Sequence, residues 1–164
     1  TLMKRSDFRL GKSYVQKLKT INMNSLRPFH LAIPVDSLEP SRTFYRETLG
    51  CEEGRSSDHW VDFNFFGHQL VIHVKEISEE RENDSNLVDG KDVPIPHFGV
   101  VLTMEDFETL SRRLKNNGVH FVIEPYIRFE GKPGEQATMF FKDPAGNALE
   151  FKAFKNLNQL FATT

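Results

Sequence analysis

The sequence predicts an α+β protein that contains two copies of one βαβββ module. The first observation is that an apolar strand with one histidine, His30 or His97, opens each half of the chain. The second is spacing: His30 precedes a helix-ending Gly50 by 20 residues, and His97 precedes Gly118 by 21. The third is that each half closes with a β-hairpin whose turn contains a glycine. The two halves therefore agree in order and in spacing.

The first module begins with a predicted strand over residues 29–35. Ser37 can cap the following helix, and Gly50 suits its end. Strands over residues 60–66 and 70–74 follow, the first of them alternating apolar and polar side chains. The helix is expected to bury a stripe made of Leu38, Phe44, Tyr45 and Leu49.

The second module follows an acidic segment, residues 76–93, that has no periodicity and predicts an exposed linker. Its first strand is expected over residues 97–102, and Thr103 begins a helix with a pattern like a capping box. A strand over residues 119–123, a loop over residues 126–135 and the terminal hairpin complete it. The predicted boundaries are a basic extension (1–25), the first module (26–75), the linker (76–93), the second module (94–156) and a tail (157–164).

One carboxylate in the terminal hairpin indicates a possible metal site. Glu150 lies between core residues of a strand, where an acid is costly to bury without a positive partner. His30 and His97 stand in similar apolar strands, and two histidines with one carboxylate form a ligand set that leaves open positions on a divalent metal. The alternative for Glu150 is an ion pair with Lys152 or Lys142.

Several other side chains are candidates for the same site. His73 and Tyr126 are candidate catalytic residues, although a strand histidine is more often packed or exposed. Arg128 lies in a predicted loop that could form a lid over the site, where its guanidinium group could bind an anionic group of the substrate. The alternative is an ordinary flexible loop. An apolar substrate pocket or, alternatively, an aromatic core stripe is expected from Trp60, Phe63, Phe65 and Phe140.

Composition excludes several classes of function. The net charge of −2 gives no basis for nucleic-acid binding, and no apolar run is long enough for a membrane span. Cys51 is the only cysteine, so a disulfide framework and a cysteine-based zinc site are excluded. Residues 1–25 carry six Lys or Arg against one acid, which is compatible with an organelle transit peptide. We favour a solvated extension and a cytoplasmic protein.

The ordered motifs resemble the vicinal oxygen chelate superfamily, which includes glyoxalase I, bleomycin- and fosfomycin-resistance proteins and extradiol dioxygenases. The resemblance covers about residues 28–154. The motifs that carry it are His30 in FHLAIPV, Phe44, Tyr45, Leu49 and Gly50 in FYRETLG, His97 in HFGVVL, and Asp143, Pro144, Gly146, Asn147 and Glu150 in DPAGNALEF.

The resemblance implies a mixed-sheet cup of two paired modules around one divalent metal, which a small substrate chelates through two adjacent oxygens. It implies that His30, His97 and Glu150 bind the metal, with Fe(II) favoured and Zn, Mn or Ni as alternatives. A dioxygenase-like oxidoreductase is the favoured expectation. A glyoxalase-type isomerase or lyase and a metal-free binding cup are the alternatives. A homodimer is also implied, with the modules pairing either within one chain or between subunits.

Two departures from the family pattern limit what carries over. Glyoxalase I has a further acid where this chain has Val71, and His73 reaches that position only after a shift of register. Three protein ligands are therefore favoured. Extradiol enzymes place a histidine and a tyrosine shortly before the final glutamate, whereas residues 127–149 contain neither and include Phe140 and Phe141.

Overall fold

The structure is a computed structural model that describes residues 26–75, 84–88 and 90–162. The expected extension over residues 1–25 lies outside the described residues, as do residues 76–83 and 89 of the expected linker and residues 163–164 of the tail. No helix in the described ranges is both long enough and apolar enough to cross a membrane.

The first module forms a four-stranded sheet with one helix. Its elements are strand β1 (His30–Val35), helix α1 (Leu38–Thr43) with a π-helical continuation (Phe44–Thr48), and strands β2 (Glu52–Ser56), β3 (Trp60–Phe65) and β4 (His68–Val74). The strand order is β1-β4-β3-β2, with β1 parallel to β4 and the other pairs antiparallel. Phe44, Tyr45 and Leu49 are buried as the periodicity predicts. Ser37 stands at the N-cap but makes no side-chain cap bond.

A hairpin corrects the linker prediction. Strands β5 (Asp84–Val88) and β6 (Lys91–Ile95) pair with each other in a separate two-stranded sheet. The sequence signal was an Asp-Gly pair between the strands, and Gly90 has the positive φ of 73° that such turns require. This hairpin has no continuous buried face, so its strands lack the alternation of apolar and polar residues that predicts a strand. Its many acidic residues instead resembled those of an exposed linker.

The second module repeats the order of the first. Its elements are strands β7 (His97–Phe98) and β8 (Val101–Leu102), helix α2 (Met104–Asn116), and strands β9 (Phe121–Arg128), β10 (Gln136–Lys142) and β11 (Ala148–Phe154). Strands β7 and β8 run parallel to β11, and β10 pairs antiparallel with β11 and β9. Thr103 caps α2 as predicted, accepting a hydrogen bond from the Asp106 amide. A short helical turn (Leu157–Gln159) follows β11.

The strand predicted over residues 97–102 is interrupted at Gly99 and Val100. Strand β11 passes so close to this point that a side chain on Gly99 would overlap the Glu150 carbonyl oxygen. The register is nevertheless kept, because His97 pairs with Ala148 before the interruption and Val101 pairs with Lys152 after it. Gly99 thus fixes the closeness of the strands that carry His97 and Glu150.

Strand β9 is longer than predicted, so the loop expected over residues 126–135 begins only after Arg128. Tyr126 and Arg128 pair in register with Thr138 and Gln136 of β10. Pro125 lies within this strand and is tolerated there because β9 is an edge strand. These two side chains therefore belong to a sheet rather than to a hinged lid.

The two sheets share one core. Tyr45 and Phe63 of the first module lie with ring centroids 5.4 Å apart, and Phe65 reaches Phe151 of the second at 5.9 Å. The Tyr45 hydroxyl also donates a 2.9 Å hydrogen bond to the Asp143 carboxylate, across the module boundary. Alternation along the strands then turns the other face of each sheet away from this core.

Candidate functional site

His97 and Glu150 meet at the start of the second module. The His97 Nε2 atom lies 3.1 Å from Glu150 Oε2. The Glu150 side chain is 9% exposed and the His97 side chain 29%, so the pair is largely screened from solvent but reachable from one side. Phe140 packs edge-to-face on the imidazole, with ring centroids 5.2 Å apart, and forms an apolar wall beside it.

The hydrogen bond at Nδ1 of His97 determines whether its other nitrogen, Nε2, faces Glu150 as a donor or as an acceptor. His97 Nδ1 lies 2.6 Å from the Pro94 carbonyl oxygen. Because a carbonyl only accepts, Nδ1 carries the hydrogen, and in the neutral ring Nε2 is then an acceptor. That lone pair faces a carboxylate oxygen, which is also an acceptor when ionised. The arrangement is stable only with a positive charge between the two atoms, either a proton or a metal ion.

The second oxygen of Glu150 has its own partners. Oε1 accepts a 2.8 Å hydrogen bond from the Thr138 hydroxyl and lies 3.2 Å from the Lys152 ammonium nitrogen. The alternative considered for Glu150, an ion pair with Lys152 or Lys142, is therefore present with Lys152. It engages one carboxylate oxygen only and leaves Oε2 directed at His97.

His30 is oriented by a chain of side chains across the first sheet. The Gln69 amide nitrogen donates to Asp62 Oδ2 at 3.2 Å, so its carbonyl oxygen faces His30 Nδ1, 2.8 Å away. Arg55 donates to the same Asp62 oxygen at 3.3 Å. His30 therefore donates from Nδ1 and keeps Nε2 as an acceptor, the same tautomer as His97.

Sequence reasoning missed Gln69 and Asp62. Asp62 occupies a polar position of an alternating strand and was expected on the solvent side, yet it is 8% exposed. The available signal was that Asp62 and Gln69 share the strand face of His30, which requires knowing the pairing of β3 with β4.

One chain does not bring the three predicted ligands together. Among the described residues no group of three His, Cys, Asp or Glu side chains is placed to hold one metal ion. Ile33 and Val35 of β1 point into the shared core, and so do Leu149 and Phe151 of β11. His30 and Glu150 lie at the alternate positions, on faces turned away from that core. Within one chain the described residues therefore do not bring both histidines to Glu150, and the convergence of the three side chains stays a prediction that pairing between subunits can satisfy.

The donor set nevertheless fits a divalent metal. Two neutral imidazoles that each present Nε2, together with a carboxylate, are suitable ligands for Fe(II), Mn(II), Zn or Ni. The 3.1 Å separation of His97 Nε2 and Glu150 Oε2 is compatible with adjacent ligands at bond lengths of about 2.1 Å. Each imidazole also has the Nδ1 partner that metal-binding histidines typically require.

His73 and Trp60 lie away from these ligands. They pair with each other on β4 and β3, on the strand face that carries His30. In the register of β1 and β4, however, His30 is level with Gln69 and Pro34 with His73. Four residues of strand separate the two histidines by about 13 Å. His73 thus does not replace the missing acid of the first module.

The predicted aromatic pocket divides into two groups. Phe63 and Phe65 are 2% and 4% exposed and belong to the core between the sheets, so they do not line a surface pocket. Phe140 is beside His97.

The other two predicted site residues lie on β9. Tyr126 is half-buried under the Lys91 ammonium group, which lies 4.6 Å from its ring centroid. Arg128 lies next to Tyr126 along β9, with its cation 5.0 Å from the Phe129 ring.

Two cavities open beside His97. A cavity of about 260 Å³ is lined by His97, Phe98, Gly99, Val100, Val101, Glu150 and Lys152. A second, of about 410 Å³, lies between β1 and the start of β7, with His97 and Ala148 on one side and Leu31 and Pro34 on the other. The candidate site is therefore accessible to a small molecule from the His97 side.

Comparison with known proteins identifies the family. A family model described as the Glyoxalase/Bleomycin resistance protein/Dioxygenase superfamily matches residues 27–151. The chain belongs to this superfamily. The resemblance carried by the His30, His97 and Glu150 motifs is thereby confirmed, together with the α+β fold of paired modules.

Individual relatives include proteins with different activities. A glyoxalase/bleomycin resistance protein/dioxygenase from Alicyclobacillus acidocaldarius is 32% identical, with a TM-score of 0.67 over 82% of this chain and 96% of that one. Glutathione transferase FosA from Serratia marcescens is 27% identical over 121 residues, which are 74% of this chain and 76% of FosA. The fosfomycin resistance protein FosX of Listeria monocytogenes shares the fold at 18% identity and a TM-score of 0.59, covering 82% and 98% of the chains.

Proposed function

We propose that this protein is a divalent-metal-dependent enzyme that binds a small substrate through two adjacent oxygens. The observation that carries the proposal is the His97–Glu150 pair, in which two acceptor atoms face each other at 3.1 Å. A proton could occupy that position in the isolated chain. The matching tautomer of His30, set by Gln69, supports a metal ion instead, because a ligand histidine has to present this nitrogen.

The complete site in this proposal forms between two copies of the chain. His97 and Glu150 come from one copy, and His30 comes from the other, since the two ligand-bearing faces of one chain point away from their common core. A symmetric dimer would contain two such sites, each made from the first module of one subunit and the second module of its partner.

The metal would polarise the chelated substrate and hold both of its oxygens in place. His97, Glu150 and His30 would bind it, while Thr138 and Lys152 fix the second oxygen of Glu150. Phe140 excludes water from one side of the imidazole. Val71, at the position matching Glu150, offers no fourth ligand, so more than one coordination position stays open.

Fe(II) is the metal we favour, because two histidines and one carboxylate are the ligand set of many non-haem Fe(II) oxygenases, which bind substrate and dioxygen on one open face. The reaction would then be dioxygenase-like. With Zn, Mn or Ni the same residues would support an isomerase or lyase reaction on a chelated substrate.

Metal analysis tests this proposal. Elemental mass spectrometry of untagged protein should find about one metal per chain, and His97→Ala should lose most of it. His73→Ala is the matched control, because this strand histidine lies outside the proposed site and its removal should leave the metal content unchanged. If iron is present, oxygen uptake with catechol-type substrates follows. If another metal is present, isomerase and lyase assays follow.

A metal-free binding cup is the second candidate. The Lys152–Glu150 pair favours it, because the ammonium group already supplies a positive partner for the carboxylate. Parent protein that takes up no metal, even after anaerobic reconstitution with Fe(II), Mn(II), Zn and Ni, would exclude the enzyme and leave this candidate.

A further inference from the structure

Lys152 extends the candidate site by one charged group. It lies two residues after Glu150 on the same face of β11, and its Nζ atom is 3.2 Å from Glu150 Oε1. The position is fixed by the backbone, since the Lys152 amide donates to the Val100 carbonyl at 3.3 Å and its Cα pairs with Val101. The side chain is 32% exposed, so the ammonium group is partly removed from water.

The ammonium group shares a small cavity with the proposed metal ligands. Lys152, Glu150 and His97 line the same space of about 260 Å³, and apolar residues complete its wall. Among the described residues that line this cavity, Glu150 is the sole acid. A ligand that enters from this side therefore meets Lys152 and the acceptor atoms of His97 and Glu150 together.

The charges in this space are not balanced once a metal is bound. The metal contributes two positive charges and Lys152 one, whereas Glu150 contributes one negative charge and the neutral histidines none. Net positive charge beside partly buried coordination positions favours an anionic ligand, because the charges are only weakly screened there. A substrate with two neutral oxygens would leave this excess uncompensated.

We propose that Lys152 binds the carboxylate of the substrate and that the enzyme acts on a small 2-oxo- or 2-hydroxycarboxylate. This inference rests on the proposed function. In such a ligand the keto or hydroxyl oxygen and one carboxylate oxygen occupy the open coordination positions. The second carboxylate oxygen then accepts a charge-assisted hydrogen bond from Lys152. Phe98 and Val101 line the same cavity and would contact the remainder of the substrate.

A matched pair of probes isolates this contact. Pyruvate and diacetyl both present a methyl ketone with an oxygen on the adjacent carbon. That carbon belongs to an anionic carboxylate in pyruvate and to a second, uncharged acetyl group in diacetyl. Their binding to Mn(II)-reconstituted protein is measured by calorimetry and by the loss of water relaxation enhancement at the metal. We expect the parent to prefer pyruvate. Lys152→Met should weaken pyruvate binding about tenfold or more and leave diacetyl binding unchanged.

Two further variants keep the result specific. Lys152→Arg should retain most of the preference for pyruvate. Lys155→Met removes an exposed lysine that pairs with Glu135 at 3.1 Å, outside the site, and should change neither affinity. Metal content and thermal unfolding are recorded for each variant, and Lys152→Gln replaces the Met variant if the latter does not fold.

The outcomes distinguish this inference from the proposed function. A parent that binds metal but has equal affinity for pyruvate and diacetyl overturns the role of Lys152 alone. The same conclusion follows if Lys152→Met raises metal affinity and leaves pyruvate binding unchanged, because Lys152 would then act only as the charge partner of Glu150. A parent that takes up no metal removes the proposed function, and this inference falls with it.

Discussion

The two modules share one scaffold but present different ligands. In the second module His97 and Glu150 lie in contact, and a backbone carbonyl orients the histidine. In the first module His30 has no acid beside it, and a side-chain relay through Gln69 and Asp62 orients the ring. Both histidines are nevertheless held in the same tautomer. The orientation of the imidazole is therefore the common feature of the duplication, and the number of ligands is not.

Strand register makes the comparison exact at one position. His30 is level with Gln69 on β4, and His97 is level with Ala148 on β11. Two residues further along, the first module has Val71 and the second has Glu150. An acid at both positions would give a metal two carboxylates, whereas one acid leaves an additional position open for ligands.

The largest effect should come from the close strand contact in the second module. Gly99→Ala would force a methyl group into the Glu150 carbonyl oxygen and should lower the free energy of unfolding by about 3 kcal/mol or more. Gly54→Ala is the matched control in the first module, because a methyl group there meets ordinary contact distances of 3.4 Å and longer. Urea denaturation measures both. Equal effects would show that the approach of β11 to Gly99 is not specifically required.

The next prediction concerns the pairing of modules between subunits. His30→Ala and His97→Ala should each lose the metal, and refolding the two variants together should restore part of it. Half of the dimers would then be mixed, each with one intact site of two, so the mixture should hold about a quarter of the parental metal content. Elemental analysis of the whole mixture measures it, and heterodimers purified through two different tags should hold about half of the parental content. A site closed within one chain would give no recovery.

A smaller effect is expected from the relay that exists only in the first module. Gln69→Leu removes the acceptor of His30 Nδ1 and should lower metal affinity about 10- to 100-fold. Competition with a fluorescent chelator measures the affinity. In a His30→Ala background, titration with excess Mn(II) measures the weak binding that His97 and Glu150 retain, and the same change should not reduce it further because the relay acts through His30. An undiminished effect in that background would instead assign Gln69 a general structural role.

These comparisons also indicate which parts were accessible from sequence. Periodicity and the spacing of His30 and His97 were sufficient for the modules, because a repeated βαβββ order leaves local signals at each helix and turn. The hypothesis that His97 and Glu150 act together came from an isolated carboxylate and two histidines in similar apolar strands, and from the family resemblance. The roles of Gln69 and Asp62 depend on which strands are neighbours, and that information is not local. His30 lies on a sheet face that points away from the core. The sequence could not predict this, because it does not show that the helix-bearing faces of both sheets form one core.

Phe63 and Phe65 illustrate the same limit. An alternating aromatic strand indicates that one face is buried, but the pattern is identical for a core and for a pocket. Their contacts with Tyr45 and Phe151 assign both to the core. The predicted end of β9 was too early for a related reason: the sequence alone does not distinguish an edge strand, in which Pro125 is tolerated, from a central one.

Titration of buried groups gives the smallest expected difference between the modules. Burial raises the pKa of the first-module Cys51 thiol from 9.0 to about 12, and burial also raises the pKa of Tyr45. As pH rises above 9, the unfolded chain loses the thiol proton while the folded chain keeps it. The folded state then binds more protons, so the free energy of unfolding falls between about pH 9 and pH 12.

Cys51→Ala removes this contribution. Relative to pH 8, the parent should lose about 1.4 kcal/mol more stability than the variant by pH 10. Urea denaturation at both pH values measures the difference. Tyr45 is present in both proteins, and it enters the difference only through its electrostatic interaction with Cys51, the smallest of the causes that raise its pKa. Burial also raises the pKa of Asp143 in the second module, and this carboxyl is present in both proteins. Parallel stability curves for parent and variant would mean that the Cys51 thiol is accessible enough to ionise in the folded state, and the alkaline limit of this fold would then come from Tyr45.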